Sequence, residues 1–194
     1  MPATDPFALF AEWIALAQAS EINDPDAMAL ATATADGRPS VRMVLMRRHG
    51  PDGFGFFTNL DSRKGQEIAA NPWGALCIHW KSLRKQVRAE GRLVQVSDAD
   101  ADDYFASRSR NSQIGSHASD QSRPLDSRDT FVRRVEQAQA RFADRDVPRP
   151  ERWSGFRLVP DRIEFWEDVE FRLHHRRLFK RRDDGSWTEG LLYP

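Results

Sequence analysis

The sequence predicts a mainly β fold, a barrel or sandwich with helices at its periphery, and three observations lead there. Short runs rich in Val, Ile, Phe, Leu and Trp recur along the chain, separated by Gly, Pro, Asn and Asp. Two of these runs flank Asp36-Gly37, a pair suited to the tight turn of a hairpin. Helical spacing of apolar residues is confined to a few segments, with no internal repeat and no low-complexity stretch. At 194 residues, with 40% hydrophobic and 30% charged side chains, the chain is long enough for one domain with a substantial core, expected over 1–194, or at most two small ones.

Asp5 and Pro6 open the first helix, 5–21, as N-cap and first helical residue, and Phe7, Phe10, Ile14 and Ala17 recur at helical spacing. "AMALATAT" and "PSVRMVLMRR" are the strands of the hairpin, and "DGFGFFTNL" is a further strand. "DSRKGQEIAANP" reads as a short helix closed by Asn71-Pro72, and "GALCIHW" and "KQVRAEGRLVQVS" follow as strands. "DADADDYFASRSR" has acidic residues in its first turn and basic ones at its end, the order a helix dipole favours. Residues 111–128, rich in Ser, Asp, Gln and Arg, read as a long polar loop, either disordered or functional. "RDTFVRRVEQAQARFAD" is helical, and "WSGFRLVP", "RIEFWED", "EFRLHHRRLFKRR" and "SWTEGLLYP" are four late strands within 152–194.

Charge and cysteine usage exclude several classes. Twenty-nine basic and 29 acidic residues cancel, which argues against a general nucleic-acid or membrane surface, so any anion site must be local. All the basic residues except Lys64, Lys81, Lys85 and Lys180 are arginines, whose planar fork suits phosphate and carboxylate. Cys77 is the only cysteine, which leaves no disulfide framework or cysteine metal site within one chain. No basic-then-apolar leader opens the sequence and no stretch approaches a membrane span, so a cytoplasmic protein is expected.

Arginines mark the places where chemistry could sit. Arg42 lies inside the apolar run "SVRMVLMRR", where burial demands a partner; an edge position or an ion pair explains it equally well. In "FFTNLDSRKG", Thr58, Ser62, Arg63 and Lys64 surround a helix start, either an anion site or an ordinary capped helix. "YFASRSRNSQIGSHASDQS" gathers Tyr104, Arg108, Arg110, Ser112, Gln113, Gln121 and Ser122 with little apolar packing to account for them. In "EFRLHHRRLFKRR", strand alternation would put Arg172, His174 and Arg176 on one face and Phe171, Leu173 and His175 on the other. A charged edge strand that blocks aggregation would look the same. Adjacent His174 and His175 point apart in a strand and cannot share a metal, and no metal site is expected. No nucleophile elbow, zinc motif, P-loop or dinucleotide fingerprint is present, which makes redox chemistry on a bound organic cofactor attractive.

"RMVLMR", "FFTNLDSRKG", "YFASRSRNSQIG", "DQS", "IEFW" and "FRLHHR", in this order and spacing, resemble the pyridoxine (pyridoxamine) 5′-phosphate oxidase family from about residue 5 to the C-terminus. The resemblance implies an FMN-binding split β-barrel that forms a homodimer, with FMN in a groove between the subunits. It also implies oxidation of pyridoxamine or pyridoxine 5′-phosphate to pyridoxal 5′-phosphate, with O2 as acceptor and H2O2 as product. Carried over by position, Arg42, Met43, Val44, Leu45, Met46 and Arg47 would line the flavin with Phe57 and Thr58. Arg63 and Lys64 would hold its phosphate, and Gln86, Gln121, Ser122, Trp166 and Arg176 would complete that site. Tyr104, Arg108 and Ser112 would grip the substrate phosphate, with Arg47 at the flavin–substrate boundary. Arg172 and His174 would act at the substrate ring as the catalytic pair, with Leu173 between them.

Arg47 stands where the family usually has Lys, Phe57 where it has Tyr and Leu191 where it has Arg, and the family's N-terminal arm has no counterpart. A sibling flavin oxidase of the phenazine-pathway type and a non-catalytic flavin or pyridoxal-phosphate binding protein are the rival readings.

Overall fold

A computed structural model describes residues 5–194, so the first four residues of the expected domain lie outside it. Helix α1 (Pro6–Ser20) starts where the sequence signals it: the Asp5 side chain accepts a hydrogen bond from the Phe7 N–H at 3.0 Å, and Pro6 occupies the first turn. Its buried stripe includes Phe7, Phe10, Trp13, Ile14 and Ala17. That stripe packs on the sheet: the Phe10 ring meets Phe54 at 4.9 Å, and Trp13 meets Phe165 edge-on at 5.1 Å.

The hairpin β1 (Ala27–Ala33) and β2 (Pro39–Leu45) turns through Gly37, whose φ of 86° is left-handed and suits glycine. A short strand β3 (Arg48–Gly50), absent from the sequence reading, then pairs with β4 (Gly53–Asn59). Helix α2 (Arg63–Ala70) is capped by Ser62, and β5 (Trp73–Trp80) and β6 (Lys85–Gln95) follow. Three helices, α3 (Asp98–Ser107), α4 (Arg110–Ala118) and α5 (Arg128–Arg141), precede β7 (Trp153–Glu167), β8 (His175–Arg181) and β9 (Trp187–Leu191).

The nine strands of the described residues belong to one antiparallel sheet, ordered β2-β1-β5-β6-β7-β4-β3, with β8 attached to β7 and β9 to β8. The expected pair of strands over 153–167 is one continuous strand. β6 pairs along nearly all of β7, but β7's other neighbour changes midway: Trp153–Leu158 pair with β4, and Arg162–Glu167 pair with β8. The sheet therefore curls and splits. A register shift at Glu90/Gly91 sets Gly91 opposite Pro160, so the proline's missing N–H falls at a bulge instead of breaking the ladder.

Residues 111–128 correct the expectation of a long loop, since much of that stretch is α4. Ser109 caps it, and only Ile114 and Ala118 are buried, so its apolar period is too sparse to read. These residues pack with Phe105, Phe142, Val147 and Trp153 in a second, smaller core beside the main one. The strand expected over 170–182 is also corrected. Residues Glu170–Arg172 form a 3-10 turn, Phe171 and Arg172 have left-handed φ values of 57° and 62°, and β8 begins only at His175. Among the described residues, no helix is long and apolar enough to cross a membrane.

The Gly91 bulge is a direct test of this topology. A Cβ there would sit 2.0 Å from the Val159 carbonyl oxygen, a backbone atom that cannot turn aside. Gly91→Ala is expected to destabilise the fold by about 1–3 kcal/mol, measured as a lower denaturation midpoint at fixed protein concentration.

Candidate active site

A cavity of about 1040 Å3 lies between strand β2, the end of β4, the start of α2 and helices α3 and α4. Its size is at the top of the range of roughly 300–1,000 Å3 usual for small-molecule sites. β2 is an edge strand whose Val41 and Met43 are exposed, so its outer side is open to a ligand or a partner surface. Arg42 on this strand is not left alone in an apolar run. Its guanidinium donates to the Leu30 carbonyl at 3.2 Å, to the Thr32 and Ser40 hydroxyls, and to Glu67 at 3.2 Å.

Glu67 organises this wall. Its carboxylate is only 4% exposed and accepts from Thr32, Ser40, Arg42 and Arg63. Burial pushes its pKa up, but the hydrogen bonds from Ser40, Thr32, Arg63 and Arg42 outweigh that and bring it down to about 2. Arg63, in the first turn of α2, is thereby turned by Glu67 at 2.8 Å while most of its side chain stays exposed.

Lys64 is the unusual group. It is buried, and its ammonium donates only to neutral oxygens: Thr58 Oγ1 at 3.0 Å, Ser62 Oγ at 3.4 Å and Gln121 Oε1 at 2.8 Å. Burial, and then the nearby Arg42 charge, lower its pKa to about 8. No carboxylate lies within ion-pair distance of Lys64 among the described residues. An anion would relieve that cost.

A second such cation borders the same cavity. Arg108 donates to Ser116 Oγ at 2.7 Å and lies over the Trp153 ring at 4.9 Å, again with no ion-paired carboxylate among the described residues. Burial first, and then repulsion from Arg47, push its pKa below the usual arginine value. Ser109 and Ser112 stand beside it at the start of α4, their hydroxyls 2.9 Å apart. An aromatic stack lines the same cavity. Phe57 lies on Tyr104 at 4.0 Å and nearly parallel to Trp153 at 5.3 Å. Arg47 lines the cavity too, tied to Asp26 at 2.7 Å.

One chain thus gathers most of the expected residues on one cavity: Arg42 through Leu45, Arg47, Phe57, Thr58, Arg63, Lys64, Tyr104, Arg108, Ser112, Gln121 and Ser122. Met46, one residue past the end of β2, is an exception, since it is buried in the main core and does not line the cavity. Sequence reasoning missed Trp153, Ser109, Ser116 and Glu67. Ser109 had a legible signal as a helix N-cap, and Glu67 stands at i+4 from Arg63.

The remaining expected residues form a separate group at the other half of β7. Gln86, Trp166 and Arg176 stand side by side across β6, β7 and β8. Arg176 forks onto the buried Glu164 at 2.8 and 3.1 Å and donates to the Tyr193 carbonyl at 2.9 Å. His174 packs on the Trp166 ring at 4.8 Å. The expected alternation of Arg172, His174 and Arg176 along one strand is wrong, because the left-handed turn at Phe171 and Arg172 interrupts it. Leu173 is 64% exposed, and none of this group lines the cavity of its own chain.

The curled sheet, divided where β7 changes neighbours, places the protein in the split β-barrel class. Its overall fold matches PhzG from Burkholderia lata 383, solved in complex with tetrahydrophenazine-1-carboxylic acid, at TM-score 0.93 and 33% identity over 100% of this chain and 94% of that one. A pyridoxamine 5′-phosphate oxidase-related, FMN binding protein from Nostoc punctiforme shares the fold at TM-score 0.78 and 18% identity, covering 99% of each chain. Residues 16–142 match the family described as pyridoxamine 5′-phosphate oxidase, and 153–194 match the pyridoxine 5′-phosphate oxidase C-terminal dimerisation region. A pyridoxine/pyridoxamine 5′-phosphate oxidase of Sphingopyxis alaskensis is 66% identical over 98% of this chain and 88% of its own length. Its counterpart in Novosphingobium aromaticivorans is 59% identical over 100% of this chain and 96% of its own length. The chain belongs to the pyridoxine/pyridoxamine 5′-phosphate oxidase family.

The Glu67 network makes a pH prediction. Its folded pKa is depressed, so its stabilisation is complete above the ordinary value of 4.5 and is lost as pH falls toward about 2. The contribution is on the order of 3 kcal/mol. Acid titration of the denaturation midpoint should show this slope, and Glu67→Gln should remove most of it.

Proposed function

We propose that this protein is an FMN-dependent oxidase, working as a cytoplasmic homodimer, that converts pyridoxamine or pyridoxine 5′-phosphate to pyridoxal 5′-phosphate with O2 as acceptor and H2O2 as product. The observation that carries the reading is the pair of cations without a carboxylate partner, Lys64 and Arg108, on one cavity that an aromatic stack also lines. Two anionic ends and flat rings are what FMN and a phosphorylated pyridine would bring. The relatives' names and the match to a dimerisation region support the same reading.

In this reading Lys64, Arg63 and the free N–H groups at the start of α2 hold the flavin phosphate, while Thr58, Gln121 and Ser122 flank it. Tyr104, Arg108 and Ser112 take the substrate phosphate, with Ser116 fixing the arginine from behind. Phe57 and Trp153 exclude water from the side of the ring. FMN held by these residues would supply the redox chemistry, two-electron oxidation of the substrate's exocyclic carbon at the expense of O2. The chain's own task is orientation and charge.

Gln86, Trp166, Arg172, Leu173, His174 and Arg176 do not reach the cavity of their own chain, and we assign them to the cavity of the partner subunit. Both family-matched segments hydrogen-bond into one sheet, so residues 5–194 work as one unit within the expected 1–194 domain. The likeness to PhzG favours a second reading, oxidation of a reduced phenazine carboxylate. The phosphate-sized cation site at Arg108 argues for the first.

Peroxide release in air from pyridoxine phosphate, pyridoxamine phosphate and a dihydrophenazine carboxylate tests the choice. Turnover of the phosphates alone is expected, and turnover of the phenazine alone would replace the first reading with the second. The shared site has its own test. Lys64→Ala and Arg176→Ala dimers should each bind FMN poorly, yet re-equilibrated mixtures should recover about a quarter of wild-type sites, because each hybrid keeps one intact cavity.

Lys64 also gives FMN binding a pH dependence. With its pKa near 8 in the free protein, Lys64 loses its proton as pH rises beyond that, and the phosphate requires the charged form. FMN affinity should fall above pH 8 by up to about ten-fold per pH unit, with proton uptake visible in buffer-dependent calorimetry. Riboflavin, without the phosphate, should show neither effect.

A further inference from the structure

The left-handed turn at Phe171 and Arg172 brings His174 back against the end of β7. There its Nδ1 lies 2.9 Å from Asp168 Oδ1 and 3.2 Å from the Val169 backbone nitrogen. These two contacts need different forms of the ring. The Val169 N–H donates, so it needs a lone pair on Nδ1, whereas the Asp168 carboxylate accepts, so it needs Nδ1–H. One nitrogen cannot do both. The Trp166 ring, 4.8 Å away, holds the imidazole in place while either partner is engaged.

Asp168 is itself fixed. Its carboxylate pairs with Arg84 in the β5–β6 turn, and its backbone N–H donates to the Arg84 carbonyl at 3.0 Å. Its side chain is 18% exposed and that of His174 23%, so water competes weakly for either group. A charged acceptor forms a stronger hydrogen bond than a neutral donor does. The structure shows the Val169 N–H bonded to Nδ1 and the carboxylate poised at ion-pair distance from the same atom, and the stronger of the two bonds is the one the carboxylate can form.

We infer that Asp168 is a positioning residue that holds His174 in the Nδ1–H form and turns its Nε2 outward as the atom offered to the substrate. In the neutral ring that Nε2 carries a lone pair and accepts a hydrogen bond from a substrate hydroxyl. Without Asp168, the Val169 N–H takes Nδ1 and the proton moves to Nε2, which becomes a donor. The inference rests on the proposal that His174 faces the substrate of the partner cavity.

The test uses the FMN-loaded protein with 15N-labelled histidine, taking as the His174 signal the one lost in His174→Ala. The wild type should show the Nδ1–H signature and Asp168→Ala the Nε2–H signature. Asp168→Asn, which keeps an acceptor oxygen, should stay close to wild type. kcat/KM for pyridoxine phosphate should fall in Asp168→Ala by the roughly 10–100-fold seen when a histidine's orienting partner is lost, with FMN affinity unchanged. An Asp168→Ala protein that keeps the Nδ1–H signature overturns the inference. So does one that changes signature with full kcat/KM while His174→Ala is impaired. Full kcat/KM in His174→Ala would instead locate the failure in the substrate-facing role of His174 itself.

Discussion

The pairing of β7 is the constraint on which the remainder of the structure depends. One strand of 15 residues carries β6 along nearly its whole length and exchanges β4 for β8 on its other side. Its first half supplies Trp153, the floor under Arg108 and Phe57. Its second half supplies Glu164 and Trp166, against which Arg176 and His174 are set. Because a strand is stiff over this distance, the two groups of functional side chains are held apart within a chain. Neither can reach the other by local adjustment. In the proposed reading it is a second copy that brings such groups together.

Electrostatics divides the same way. Each half has one buried carboxylate that gathers arginines: Glu67 joins Arg42 and Arg63 by the cavity, and Glu164 joins Arg88 and Arg176 on the far half. Both carboxylates are 4% exposed, so each stands in a medium where an unpaired charge would be costly. The cations they hold are oriented by the protein before any ligand arrives. Lys64 and Arg108 are treated differently, with neutral oxygens and a ring face in place of carboxylates. That leaves their charge available.

Much of this was legible in the sequence, because local signals and tertiary demands agree for most elements. Asp5-Pro6 marks a helix start, Asp36-Gly37 marks a hairpin, and the runs that became β4, β5 and β6 have the alternation or apolar density of strands. The illegible parts have specific causes. Helix α4 buries only Ile114 and Ala118, so tertiary packing and the Ser109 cap define it, not a periodic stripe. Pro160 looked like a break between strands, and only the bulge on β6 lets β7 run past it. The site residues came mostly from family resemblance. Alternation alone misplaced Arg172 and His174, since nothing in "EFRLHH" announces two successive left-handed residues. Trp153 stood out only as the first residue of an expected strand, and its role as a platform for Arg108 depends on a neighbour far away in sequence.

That left-handed pair also bears on how this protein would respond to engineering. Phe171 and Arg172 carry side chains in a region of backbone space where a Cβ costs roughly 1–2 kcal/mol per residue. Phe171 recovers little of that through packing, being 89% exposed. A search for heat-resistant variants would thus be drawn to glycine or asparagine at this turn, where relief is available at once. The same relief would loosen the hinge that returns His174 to Asp168 and Trp166. If His174 serves the substrate as proposed, selection for robustness and selection for turnover would pull this short segment in opposite directions.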